Sequence, residues 1–167
     1  MGSLDGVYAT AAKWRDGLEV VSVLYDPKEI EYQTLVNEAK KFKCTSRVFT
    51  YSEEQLKVAK EIVGSKAVMA SDKQRPRFAS KSDQKYYLFH SPLRSLPMCD
   101  YQMTKVNSAL GLRQPVESLL SPRQIVLANK ILRKARTDQS ALEGLESPID
   151  GNKLGEYTVK LEKALAK

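Results

Sequence analysis

The stretch Glu19-Val20-Val21-Ser22-Val23-Leu24-Tyr25-Asp26-Pro27 decides how the first part of this chain folds. It is rich in β-branched residues, and alternation sets Glu19, Val21, Val23 and Tyr25 on one face of a strand over residues 18–25. Asp26-Pro27 ends the strand, because proline lacks the amide that a ladder needs. Just upstream, Asp16-Gly17 is a turn signal, and residues 6–14 read as a partner strand. The pair predicts a hairpin.

Downstream the period changes. Tyr32, Leu35, Val36, Ala39 and Phe42 recur at helical spacing, with Glu38, Lys40 and Lys41 outside the stripe. Residues 46–51 read as a third strand. Ser52-Glu53-Glu54-Gln55 is a capping box that opens a helix reaching Gly64. A basic connector follows over residues 65–82, with a short strand at 67–70. Residues 85–90 are aromatic, and Pro92 and Pro97 bracket a loop. Met103, Val106 and Leu110 predict a helix. Ser121-Pro122-Arg123-Gln124 is a second capping box, with proline at the first helical position, and its helix runs to about Arg136. Residues 137–152 read as a loop and 156–166 as a last amphipathic helix.

The 167 residues allow one domain plus an appendage, and 42% hydrophobic with 28% charged residues is ordinary for a globular chain. No apolar run approaches the roughly 20 residues that span a bilayer. The N-terminus carries no signal-peptide pattern, so a cytoplasmic location is expected if Met1 is the true start. A net charge of +7 favours anionic partners. The two cysteines, Cys44 and Cys99, and the one histidine, His90, form no CxxC or CxH pattern, so neither a metal nor a cofactor is expected.

Gly6-Val7-x-x-Thr10, then Glu19-Val20-Val21-x-Val23-x-Tyr25-Asp26-Pro27, then Ile30-x-Tyr32-x-x-Leu35 form an ordered series. Arg47–Leu56, with its Glu53-Glu54-Gln55-Leu56 run, continues it, and so do Phe78, Ala79, Asp83-Gln84-Lys85-Tyr86 and Pro92. In this order the motifs resemble the peptide methionine sulfoxide reductase A family, and its divergent thioredoxin-like (seleno)protein subgroup in particular. The resemblance implies an α+β fold. A β-β-α-β-α unit of ferredoxin-like or methionine sulfoxide reductase A-like type is expected over residues 1–95, with a helical extension over 96–167.

The resemblance also implies a chemistry. In that family a cysteine thiolate attacks the sulfoxide sulfur, a carboxylic acid helps protonate the oxygen, and an aromatic pocket holds the methyl group. A second thiol resolves the sulfenic acid, and a thioredoxin-like donor supplies electrons. Glu19 matches the family's glutamate, and Trp14 matches a pocket tyrosine approximately. Cys44 is the candidate resolving thiol. The nucleophile's Gly-Cys-Phe-Trp motif precedes the Gly-Val strand in the family, and this chain begins after that point. Either an upstream segment carries a cysteine or selenocysteine, or the scaffold has lost the chemistry. Little or no activity is expected of the chain as it stands. The family's His-Asp-Pro loop and its downstream Gly-x-Gln-Tyr-Arg-Ser are replaced by the short Lys43-Cys44-Thr45-Ser46.

Each candidate has a plainer reading. Glu19 is either a buried acid with a raised pKa or an exposed strand-end carboxylate. Cys44 is either activated by Lys40, Lys41 and Lys43 or a small buried hydrophobe. Trp14 is either a pocket wall or core. Cys99 and His90 read as structural or surface residues. The helix from Ser121 carries Arg123, Lys130, Arg133, Lys134 and Arg136 and no acid. It is either a solvated basic face or a contact for nucleic acid or an acidic protein. Lys73, Arg75, Arg77, Lys81, Lys85 and Arg94 add to the basic balance nearby, against one acid, Asp83.

Overall fold

The computed structural model describes residues 1–71, 75–148 and 150–166. The chain divides into two compact units, Met1–Ala79 and Ser80–Lys167. This boundary lies earlier than the expected one between residues 95 and 96. The reason is packing: Leu88 and Leu93 belong to the hydrophobic core of the helical unit.

The first unit opens with the expected hairpin. β1 (Val7–Arg15) and β2 (Leu18–Tyr25) pair antiparallel, with Trp14 opposite Glu19 and Ala12 opposite Val21. Asp16 and Gly17 make the turn, both at positive φ. α1 (Tyr32–Lys41), β3 (Val48–Thr50), α2 (Glu53–Val63) and β4 (Ala67–Met69) follow, and β5 (Arg77–Phe78) returns to pair with β1. The β-β-α-β-α order is therefore present in a mixed α+β unit. Among the described residues the strands do not merge into one sheet, as a ferredoxin-like unit would require. They form a three-stranded sheet, β2-β1-β5, and a separate parallel pair, β3-β4. Residues 72–74 of the basic connector lie outside the described residues.

The Tyr25-Asp26-Pro27 block turns the chain from β2 into α1. The Asp26 amide donates to the Gly6 carbonyl at 2.9 Å, and the Asp26 carboxylate accepts from the Lys28 amide at 2.8 Å. This local bond is why aspartate suits the turn. The Glu29 and Ile30 amides then donate to the Asp26 carbonyl, at 3.1 and 3.0 Å. Ile30 is thereby pressed onto Gly6. Val7, Ile30 and Leu35 form the buried cluster there, with Val23, Tyr25 and Tyr32 packed against it.

Ser52 caps α2 by accepting from the Gln55 amide at 3.2 Å, but the reciprocal half of the box is displaced. Gln55 Oε1 accepts from the amide of Tyr51, at 2.9 Å, instead of that of Ser52. Ala59 of α2 is fully buried, and α2 packs along β3 and β4.

In the second unit, α3 (Tyr86–Phe89), α4 (Asp100–Gly111), α5 (Pro122–Thr137) and α6 (Leu154–Ala166) surround one core. Leu96, Val106, Ile131 and Leu161 have no exposed surface. At Ser121 the capping box is complete: Ser121 Oγ accepts from the Gln124 amide and Gln124 Oε1 from the Ser121 amide. Gln124 Nε2 also donates to the Pro97 carbonyl at 2.8 Å, so the cap ties α5 to the loop before α4. Tyr157 of α6 donates to the Ser95 carbonyl at 2.7 Å, and Ser95 to that of Leu145 at 2.9 Å. Among the described residues no helix is long and apolar enough to cross a membrane.

Two glycines separate backbone strain from crowding. Gly6 (φ +77) and Gly17 (φ +75) both occupy the left-handed region. A Cβ on Gly17 would meet nothing within 4 Å, whereas one on Gly6 would lie 2.7 Å from Ile30 Cγ2. Gly17→Ala should cost about 1 kcal/mol, from backbone strain alone. Gly6→Ala adds an overpacking term of about 1–3 kcal/mol. Urea denaturation followed by fluorescence of the one tryptophan, Trp14, measures both; equal losses would refute the claim that Ile30 presses on Gly6.

Candidate functional site

The first unit holds a cleft of about 460 Å³. That is within the range of small-molecule sites, roughly 300–1,000 Å³. β2 contributes Glu19, Val21, Val23 and Tyr25 to its wall, and α1 contributes Tyr32, Leu35 and Ala39. Cys44, Phe49 and Tyr51 close it from the segment around β3. The local sequence explains this arrangement. The alternating valines of β2 and the Tyr32–Leu35–Ala39 stripe of α1 are the two apolar faces read from the sequence. They meet at the Val23–Tyr25 end, where Val23, Tyr25 and Tyr32 pack on Leu35.

Two of the residues expected to act on a sulfoxide reach this cleft, and one does not. Glu19 lines it but is exposed, the plainer of its two readings. Alternation placed Glu19 correctly with Val21 and Val23. However, β2 is a sheet edge whose far end is uncovered, and Val21 itself is 48% exposed. Trp14 sits opposite Glu19 in the ladder yet is exposed and absent from the cleft wall.

Cys44 lines the cleft as an exposed free thiol, not as a buried hydrophobe. α1 ends at Phe42, Lys43 turns the chain at φ 59, and the Cys44 thiol donates back to the Phe42 carbonyl at 3.3 Å. Two of the three lysines expected to activate it are engaged elsewhere. Lys40 donates to the Ile62 carbonyl at 2.9 Å, and Lys41 pairs with Glu38. Cys99, also free and exposed, precedes α4, with its sulfur 3.9 Å from Gln102 Oε1. His90 is exposed and packs its ring against Tyr86 and Phe89.

Sequence reasoning assigned no role in the site to the aromatic hydroxyls or to Arg15. The rings of Tyr25 and Tyr32 lie 6.5 Å apart at the cleft. Burial, with a smaller contribution from neighbouring Tyr25, pushes the Tyr32 phenol up to about 12. Tyr32 is therefore a neutral donor at any ordinary pH. Arg15 is 5% exposed and stacks its guanidinium 4.9 Å from the Phe49 ring centroid. The signal for Tyr25 and Tyr32 was present in the Tyr25-Asp26-Pro27 and Ile30-x-Tyr32 motifs. Arg15, beside an Asp-Gly turn, reads as a surface residue.

On α5, Arg123, Lys130, Arg133 and Arg136 are exposed. Helical geometry sets Arg123, Lys130 and Arg133 on the side away from buried Ala128 and Ile131. Lys134 departs from the set: it is half-buried and pairs with Asp138 at 3.4 Å.

A scan against protein-family models gave no match to this chain, and a search of curated proteins gave none. The likeness to methionine sulfoxide reductase A accordingly rests on the motifs quoted above.

The Tyr32 phenol carries a pH signature. Its pKa rises from 10.0 to about 12, so the folded state keeps a proton that the unfolded state loses over this window. Stability is full below pH 10 and falls as pH rises toward about 12. Burial pushes the Tyr157 phenol up to about 12 as well. Tyr32→Phe should therefore reduce that alkaline loss without removing it, as measured by denaturation midpoints across the window; an unchanged slope would remove Tyr32 as a source.

Proposed function

We propose that the first unit is a scaffold related to methionine sulfoxide reductase A, whose cleft receives the methyl-sulfur end of a methionine sulfoxide-type side chain. The observation that supports this most is the cleft wall itself. It combines apolar β2 and α1 side chains, the neutral Tyr32 phenol, a carboxylate at Glu19 and a free thiol at Cys44. A sulfoxide oxygen is a strong acceptor without a donor of its own, which a protonated phenol complements. Glu19 is the exposed carboxylate of that wall.

Reduction moves two electrons to sulfur and needs two thiols, one attacking and one resolving. In this reading the attacking thiol belongs to an upstream segment and is left as a sulfenic acid. Cys44 condenses with it, releasing water and forming a disulfide that a thioredoxin-like dithiol reduces. No base contacts Cys44 among the described residues, and its thiol is bonded to a carbonyl. The chain therefore binds the sulfoxide group without turning it over at a significant rate. With N-acetyl-methionine sulfoxide methylamide, backbone NMR signals of Val23, Tyr25, Tyr32 and Leu35 should shift, and turnover with dithiothreitol should stay at background. Unmoved signals at saturating probe would remove the binding claim. Turnover above background would overturn the claim of inactivity, and its survival in Cys44→Ser would also remove Cys44 from the chemistry.

A second reading is favoured by α5. Its four exposed cations and lack of any acid suit contact with nucleic-acid phosphates. If four phosphates are neutralised, log affinity for duplex DNA should fall with log salt at a slope of about −3 to −4. Arg123→Ala and Arg133→Ala should each reduce that slope by about 1. Absence of binding at low salt would end this reading; binding only to an acidic protein would reassign the face to a protein partner.

A further inference from the structure

We propose that the cleft reads a negative charge, with Arg15 as the anchor for a carboxylate carried on an apolar body. This rests on the cleft being a binding site, as argued above, and adds the charge of its ligand.

Arg15 forms part of the cleft wall, yet only 5% of it is exposed. Its guanidinium has five N–H donors. One goes to the Tyr51 hydroxyl at 3.3 Å and one to the Ser71 carbonyl at 2.8 Å, and both acceptors are neutral. Its Nε–H is buried with no hydrogen-bond partner. Among the described residues Arg15 forms no salt bridge. Burying a charge is costly unless it is paired and hydrogen-bonded, so this position is poised for an anion.

The aromatic contacts do not supply that anion. Phe49 and Tyr51 lie 4.9 and 5.9 Å from the guanidinium carbon, centroid to carbon, and act on the π-face. With two of its five N–H donors engaged, three remain for the oxygens of a carboxylate. The charges around the cleft agree in sign: Lys13 and Arg47 also line it, against Glu19 alone. The valine and tyrosine surface beside Arg15 suits a carboxylate on an apolar group. A free organic acid and the C-terminal residue of a peptide share that chemistry.

Calorimetric titration of the full chain tests it with matched acid and amide probes. Phenylacetate is compared with phenylacetamide, and N-acetyl-Ala-Met bearing a free C-terminus with its amide. The acids should bind roughly ten- to hundredfold tighter than the amides, the range of a charge-assisted hydrogen bond. Arg15→Gln should abolish the preference, and Arg15→Lys should keep part of it. Preference for phenylacetate alone identifies a free acid; preference for the peptide acid alone identifies a chain end. Both outcomes support the proposal.

Equal affinity for acid and amide in the unaltered chain overturns the proposal, and this comparison stands even if the Arg15 variants do not fold. Asp72 follows Ser71 in sequence, so Asp72→Asn is included. Acid binding that appears only in that variant overturns the proposal by assigning the carboxylate to the chain itself. The sulfoxide reading fails separately. Binding of the neutral sulfoxide probe without any acid preference leaves that reading and removes this one; phenylacetate preference without sulfoxide binding does the reverse.

Discussion

The close approach of Ile30 to Gly6 is the constraint on which the first unit depends. Three segments meet there: the entry to β1, the exit from β2 and the turn into α1. The bond from the Asp26 amide to the Gly6 carbonyl locks the first two, and the bonds to the Asp26 carbonyl fold the third over them. Leu35 and Tyr32 then reach the sheet only at its Val23–Tyr25 end. The cleft lined by β2 and α1 follows from this contact. The second unit depends on nothing comparable; its core is assembled from four helices, and Gln124 and Tyr157 pin the loops between them.

The elements were legible because each carries its own local signal. The β2 alternation and the α1 stripe gave two strands and a helix at nearly the observed bounds, and Ser121 gave the start of α5. The failures share a cause. Alternation tells which face a side chain shares but not whether anything covers that face. Glu19 therefore came out exposed although its face was assigned correctly. The displaced bond of Gln55 is a similar case: the pattern Ser-x-x-Gln fixes the cap, while the chain's entry angle selects which upstream amide the side chain reaches. The compact units divide earlier than residue 95, because Leu88 and Leu93 are core of the helical unit although residues 80–95 carry few periodic signals.

Within the site, chemistry and placement were legible to different degrees. Cys44 was singled out for its lysine neighbours, yet Lys40 is drawn away by the Ile62 carbonyl, which only the fold brings near, and Lys41 by Glu38 on its own helix. Arg15 was invisible for the converse reason. Its burial depends on Phe49, Tyr51 and Ser71, all distant in sequence. Long-range neighbours decide protonation and pairing, and a single sequence does not encode them in any local pattern.

β2 ends the order β2-β1-β5, so among the described residues one row of its backbone groups has no strand beside it. Leu24 is 63% exposed along that strand. An unprotected edge of this kind is a template for self-association, and proteins commonly blunt such edges with charge. The strand is short, bounded by Asp16-Gly17 and Asp26-Pro27, and Glu19 is its only charged residue. Glu19 is thus the one charge set along that edge, the kind of residue by which such edges are commonly blunted.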